Sequence, residues 1–495
     1  MGAVITTLSP QDLPTPGLVI VTLILTYYIY TRSNGKQNYP DGPPTIPILG
    51  NIPQLLMSKD MSMIHFLEDN RRKYGNAYTI ELGGIKRVVV SGYTIIQELL
   101  VKNADLSSNR TTLAMPANDT EIAKTTPGLF WAKHPHWKTI RSFALNTLRE
   151  EGMGKSSLEP QIMHEIHAYI DNFIAPHIGQ PINLSDSIMM ATANVMSSMI
   201  HGHRKDYTDT TFLLWMKHFG LSLKAVVKAS VVRNIPFAQY LPGDASGVKA
   251  NKDAGNILLP EAMKEVEACK DSLDPNHLTS YVDKFVYHSQ KERAAGRSDN
   301  IFTDGNAAMT MMHLYGAGTE TTSTALRWAI LYMCAYPDMQ VKVHEEIDSA
   351  LGANEVRYAD RSALPYTEAV ILEVLRLGNI APTGLPHTLE EEYTLPAGCE
   401  LMINMASILW DEKVFEEPEK FKPERYLSGD VTLKKSRTIA FGIGEGLARM
   451  ELSLFFTTFM QKFKVSLPAG HVPNLNGVCS IVNAPADYQV IFTER

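Results

Sequence analysis

Hydrophobic positions along this 495-residue chain follow two periodicities. Over Met309–Tyr336, Leu364–Leu377 and Gly446–Phe463 they recur every three to four residues, the spacing of one helix face. Shorter runs rich in β-branched and aromatic residues predict strands. These are AYTIEL (Ala77–Leu82), KRVVVSG (Lys86–Gly92) and DYQVIFT (Asp487–Thr493). Helical patterns dominate, and no repeat or long low-complexity tract interrupts them. The expected fold is therefore one large, mainly α domain with a minor β-sheet region, an α+β arrangement.

The N-terminus breaks this pattern. LVIVTLILTYYIY (Leu18–Tyr30) carries no charge. Extended back to Leu13, it reaches the roughly 20 residues that cross a bilayer core as a helix. Arg32 and Lys36 follow at once, which keeps the body of the protein in the cytosol by the positive-inside rule. A cleaved signal peptide would have a basic n-region and a small-residue cleavage site, and neither is present. Residues 1–32 are thus expected to form an uncleaved transmembrane anchor. The sequons at Asn109, Asn118 and Asn183 would then never meet the glycosylation machinery. YPDGPPTIPILGN (Tyr39–Asn51) is too rich in proline for helix and predicts a stiff hinge over residues 33–51, leaving 52–495 as the body.

Composition adds little beyond exclusions. A net charge of -7 gives no reason to expect nucleic acid binding. The four cysteines, Cys269, Cys334, Cys399 and Cys479, show no CxxC or regular spacing. That argues against a disulfide framework or zinc site and fits a reducing compartment.

Four local patterns carry candidate chemistry. GAGTETTS (Gly316–Ser323) places two glycines and Ala317 inside a long helix, at up to about 1 kcal/mol per glycine. Such small residues either open the backbone to a ligand, with Glu320 and Thr321 at the opening, or let two helices pack closely. Glu373 and Arg376 share a helix face at i, i+3. They form either a surface ion pair or a buried one, and a buried one needs a further partner such as Arg425 in PEKFKPERY. Trp137 and Arg141 in WKTIR lie four apart, so an indole N–H and a guanidinium could clamp an anionic oxygen, or simply mark a core edge. His387 in GLPHT is either a third donor to that anion or a loop histidine.

Taken in order, these motifs resemble a cytochrome P450, a haem-thiolate monooxygenase, over nearly the whole chain. The resemblance rests on the anchor, the proline-rich hinge, Trp-x-x-x-Arg, Ala-Gly-x-Glu-Thr-Thr, Glu-x-x-Arg, Pro-x-x-Phe-x-Pro-x-Arg and Leu-Ala-Arg-Met-Glu. LNTLREEGMGKSSLEPQI and EVLRLGNIAPTGLPHTL are most similar to the animal microsomal members. The resemblance implies a single haem domain that inserts one oxygen atom of O2 into an apolar small substrate, drug-, steroid- or fatty-acid-like. It implies haem b (iron protoporphyrin IX), electrons from NADPH through a reductase, cytochrome b5 as a second partner, and an endoplasmic reticulum membrane location. It also assigns roles. Trp137, Arg141 and His387 would hold the haem propionates, and Ala317, Gly318, Phe441 and Gly444 would lie against the cofactor. Glu320 and Thr321 would deliver protons, while Glu373, Arg376 and Arg425 would lock the structure behind the haem. Ser107–Phe130, Phe212–Tyr240, Pro382–Leu385 and Gly477–Val482 would line the substrate pocket.

One block departs from the family pattern. The haem loop of the family reads F-x-x-G-x-R-x-C-x-G-x-x-L-A, whereas this chain reads FGIGEGLA from Phe441. Phe441 and Leu447 are six positions apart instead of twelve. The gap between Gly444 and Glu445 has the length of x-R-x-C-x-G, so the axial cysteine, an arginine and a turn glycine are missing together. No metal ligand is expected in their place. The four cysteines read as small buried hydrophobes, and the His201–His203 pair is a weak metal candidate. Either the protein in its natural source carries the block, the sequence reflecting a displaced splice junction, or the chain lacks it and serves as a non-catalytic binding or scaffold protein. Intact flanks and motifs favour the first.

Overall fold

A computed structural model describes Thr22, Thr26 and residues 38–110, 126–232, 240, 242–244, 246–297, 301–392, 395–439 and 446–495. Nearly all of the expected anchor, and Phe441 and Gly444 of the haem loop, lie outside the described residues. Among the described residues no helix is long and apolar enough to cross a membrane.

The longer helices, numbered along the chain, are α1 (Met63–Tyr74), α2 (His136–Glu150), α3 (Glu159–Tyr169), α4 (Ser185–Ile200), α5 (Thr210–Val232), α6 (Val248–Ser272), α7 (Tyr281–Ala294), α8 (Asp304–Ala335), α9 (Pro337–Ala350), α10 (Pro365–Gly378) and α11 (Gly446–Lys462). Helix α8 runs through the centre and packs against α4, α6, α10 and α11. It carries apolar or small residues on all sides, which is the composition of a buried helix. It starts five residues before the periodic pattern does, because Thr303 caps it by accepting from Asn306 N. The main core gathers Trp328 and Leu331 of α8, Val374 of α10, and Phe455, Phe456 and Phe459 of α11.

The principal sheet has the order β1–β2–β5–β4, with β1 (Ala77–Leu82), β2 (Ile85–Ser91), β4 (His387–Thr388) and β5 (Glu400–Asn404). Gly83 and Gly84 both have positive φ, which makes the tight turn of the β1–β2 hairpin. Strand β2 pairs parallel to β5, with Val88 opposite Leu401, and β4 closes the edge antiparallel, with His387 opposite Leu401. A second sheet joins β3 (Pro181–Asn183), β9 (Gln489–Glu494) and β6 (Phe463–Ser466), and β7 (Gly477–Cys479) pairs with β8 (Asn483–Pro485).

The C-terminal end of the proline-rich segment lies against β1. Asn51 N donates to Glu81 O at 2.6 Å, and Glu81 N donates back to Asn51 Oδ1 at 2.7 Å. A Cβ on Gly42 would lie 1.9 Å from Thr79 O, so only glycine lets the segment approach β1 this closely. The prolines exclude helix as expected, and the Asn51 side-chain amide then ties the extended chain to the edge strand β1.

Candidate active site

Helix α8 changes character in its middle. Leu314, Tyr315, Thr319 and Thr322 are buried, yet Ala317 is exposed and Glu320 and Thr321 are half-buried. The Thr321 hydroxyl donates to Ala317 O at 2.7 Å, one turn back, a bond that competes with the helix's own ladder and favours bending there. On another face Thr192 of α4 donates its hydroxyl to Thr319 O at 3.0 Å. Burial holds the Glu320 carboxyl up at about 7, against the opposing charges of Arg327 and Lys224. A carboxylic acid half-protonated near neutrality, beside a hydroxyl and an accessible alanine, is equipped to hold and pass a proton.

The glycines flanking Ala317 serve packing. A Cβ on Gly318 would sit 2.2 Å from Met196 Sδ of α4, and one on Gly316 would sit 3.0 Å from the Phe219 ring of α5. Close helix packing and an accessible window thus coexist within three residues.

A basic cluster forms where β4 meets the segment before residue 110. Thr388 N donates to Asn109 O at 2.8 Å, and His387 Nδ1 lies 2.6 Å from Ser107 O. A carbonyl accepts, so that nitrogen carries the proton. The next residue is Arg110, which sequence reasoning did not single out. Its Nη1 donates to Leu385 O and Pro386 O at 3.4 and 3.3 Å, while its Nε is buried with no partner among the described residues. Burial, and then the neighbouring charge of Arg141, lower the Arg110 pKa to about 10. Burial and the charge of Arg110 push His387 down to about 3. Arg141 is exposed by area, yet its pKa is still lowered by desolvation. A side chain facing an internal opening would combine these two properties. Its guanidinium lies 5.5 Å from the Trp137 ring centroid.

Glu373 and Arg376 are wholly buried, and Arg425 joins them. Arg376 Nε and Nη2 donate to the two Glu373 oxygens at 2.8 Å each, and Arg425 Nε donates to Glu373 Oε1 at 3.0 Å. The spare donors go to backbone carbonyls. Arg376 reaches Leu409, Pro418 and Lys420, and Arg425 reaches Glu416, Glu417 and Lys420. Full satisfaction is what makes buried charge tolerable.

Of the segments expected around a substrate, Gly128–Trp131 packs on α8. Gly128 N donates to Asn306 Oδ1 at 3.0 Å, and Phe130 stacks on His313 with centroids 4.4 Å apart. Residues 111–125 and 233–239 lie outside the described residues.

Haem fits one end of this site and not the other. The cationic side chains Arg110 and Arg141 meet no carboxylate among the described residues, and the orphaned Arg110 Nε needs an acceptor, as a propionate would provide. No ligand for iron is at hand among the described residues. The chain has no cysteine between Cys399 and Cys479. Burial pushes Cys269, Cys334 and Cys479 up to about 12 and Cys399 to about 11, so all four remain thiols rather than thiolates. Cys269 is additionally held by Asp283, 3.2 Å away. His201 pairs with Glu265 at 2.9 Å, and no group of three potential metal ligands occurs among the described residues.

Comparison with known proteins adds an independent finding. A family model for cytochrome P450 matches residues 40–492. Cytochrome P450 2K4 of Oncorhynchus mykiss is 32 % identical over 468 residues, covering 91 % of this chain and 91 % of its own length. Cytochrome P450 2B2 of Rattus norvegicus is 33 % identical over 509 residues, covering 99 % and 100 %. Cytochrome P450 2D14 of Bos taurus is 32 % identical over 495 residues, covering 96 % and 97 %.

Proposed function

Because the chain belongs to the cytochrome P450 family of haem monooxygenases, which are oxidoreductases, we propose that it oxidises apolar small organic molecules at the endoplasmic reticulum membrane. The substrates would be drug-, steroid- or fatty-acid-like, and the electrons would come from NADPH through a reductase, with cytochrome b5 as a second donor. The cofactor would be haem b. Residues 1–32 would anchor the chain, with the body in the cytosol. The exposed apolar side chains at the end of the hinge and just after it, Ile46, Leu49, Leu56, Met57 and Met61, support a lean toward a lipid surface.

The observation that carries this reading is the Glu320–Thr321 window in an otherwise buried helix. Haem held by a thiolate supplies the activation of O2 when bound. This chain's own residues supply the rest. Glu320 holds a proton at a pKa of about 7 beside the window. Thr321 keeps its hydroxyl fixed on Ala317 O, with its own oxygen free to accept. Arg110, Arg141 and Trp137 would take the cofactor carboxylates, whereas His387, neutral and with its one N–H on Ser107 O, is left without a donor for them and instead pins β4 to that segment. Glu373, Arg376 and Arg425 would hold the segment from Glu416 to Arg425 rigid ahead of the haem loop.

Oxygen insertion requires the x-R-x-C-x-G block. The absence of any thiolate favours a second reading for a chain without it, a membrane-anchored, non-catalytic binding protein. Tryptic mapping of the protein from its natural source separates the two. Cysteine-containing fragments joining Gly444 to Glu445 would support the catalytic reading. Recovery of the peptide Thr438–Arg449 with no longer variant would overturn it.

A further inference from the structure

We infer that this chain, as its sequence stands, recognises a porphyrin by its carboxylates and not by its metal, so that it takes up metal-free protoporphyrin IX about as well as the iron form. The inference rests on the haem-site reading above and concerns what the two unequal ends of that site do to selectivity.

The carboxylate end is built. Arg110 is fixed by two backbone carbonyls and by the Asn109–Thr388 bridge, which seats it beside His387 on the edge of the principal sheet. Its Nε is buried and has no hydrogen-bond partner among the described residues. Arg141 adds a second guanidinium, held over the Trp137 ring. Burial lowers the affinity of Arg110 for protons, and the charge of Arg141 reaches it and adds to that effect, an arrangement that an anion between them would relieve. A dicarboxylate relieves that repulsion and satisfies the orphan together, and planar guanidinium forks match carboxylates well.

The metal end is not built. The loop from Phe441 to Leu447 contains no cysteine, histidine or tyrosine. Burial keeps the four thiols protonated at neutral pH, and Cys269 is held by Asp283. In a ligated site the bond to iron adds affinity that the carboxylates cannot distinguish. Without it, every remaining contact is the same for a porphyrin with or without iron.

The test is a pair of titrations of the full-length chain in detergent. Metal-free protoporphyrin IX is followed by its fluorescence and haemin by its absorbance, with each competed against the other. We expect both to bind saturably with affinities within about tenfold of one another, and the dimethyl ester of protoporphyrin, which has no carboxylates, to bind at least about tenfold more weakly. Arg110→Ala should weaken both free-acid porphyrins alike, and Arg110→Lys should recover part of the loss, which separates a lost charge from a lost fold. A preference for haemin above about a hundredfold, or a thiolate-type absorption of the reduced carbon monoxide complex, would overturn the inference, because either needs a protein ligand on iron. The haem-site reading is tested apart by a chain with the x-R-x-C-x-G block restored between Gly444 and Glu445. That chain should gain a preference for haemin of at least about a hundredfold. If neither chain binds any porphyrin, the reading of the cradle fails and the inference falls with it.

Discussion

Met196 of α4 and Gly318 of α8 touch so closely that the first side-chain carbon of any other residue at 318 would lie 2.2 Å from the Met196 sulfur. This contact sets the distance between the two helices on one side of the Glu320–Thr321 window. It also reverses the usual consequence of a helical glycine. In an open helix interior Gly→Ala stabilises by up to about 1 kcal/mol. At Gly318 we expect Gly318→Ala to destabilise by about 1–3 kcal/mol through overpacking, read as a lowered denaturation midpoint. In a double-mutant cycle Gly318→Ala should cost less in a Met196→Ala background than in the parent, since the obstructing sulfur is already gone.

The buried Glu373 carboxylate holds two guanidiniums and the Lys422 amide. Glu373→Ala should cost about 3–5 kcal/mol, because it strands Arg376 and Arg425 in the interior without a counter-charge. Urea denaturation measures it. A loss below about 1 kcal/mol would mean that the backbone carbonyls around the arginines suffice.

Glu320 makes stability depend on pH with a definite sign. Its folded pKa is raised from 4.5 to about 7, so the folded state binds the proton more tightly than the unfolded chain does. The stabilisation from that proton is fully present below pH 4.5 and is lost as pH rises to 7, by about 3 kcal/mol at most. Glu320→Gln cannot titrate. The stability of the variant relative to the parent should therefore increase between pH 4.5 and 7 and level off above. A flat difference across that range would show that Glu320 ionises normally.

The four cysteines should be nearly inert in the folded chain. With thiols at about 11 to 12, the reactive thiolate is scarce at pH 7. Alkylation by iodoacetamide, followed by mass spectrometry, should run at least about a hundredfold slower than for a free thiol and become fast on unfolding. Rapid labelling of one site in the folded protein would mark it as a thiolate and reopen the question of a metal ligand.

The sequence was most informative where periodicity is local. The β1 run coincides with its strand, and the three helical patterns coincide with α8, α10 and α11 to within a few residues. The start of α8 was hidden, since Thr303 caps through one hydroxyl and leaves no hydrophobic mark. The GAGTETTS stretch could be read two ways because its meaning depends on Met196 and Phe219, which belong to other helices. Arg110 escaped notice for a similar reason. It follows Ser-Ser-Asn in a stretch with no period, and what gives it significance is its approach to Arg141 and to a strand far along the chain.

That last pairing has a consequence for how the protein is made. Ser107 and His387 are 280 residues apart, and β4 is the element that seats the cluster. At roughly 5–20 residues per second, a ribosome needs on the order of tens of seconds to deliver β4 after Arg110 has emerged. During that interval the segment before residue 110 has no partner strand, and the cradle does not exist. On the proposed reading of the cradle, porphyrin capture would therefore be a late event in biogenesis, open only to chains synthesised past residue 388. A ribosome stalled or a message cut short before that point would then yield a product unable to sequester porphyrin, however well its first half has folded.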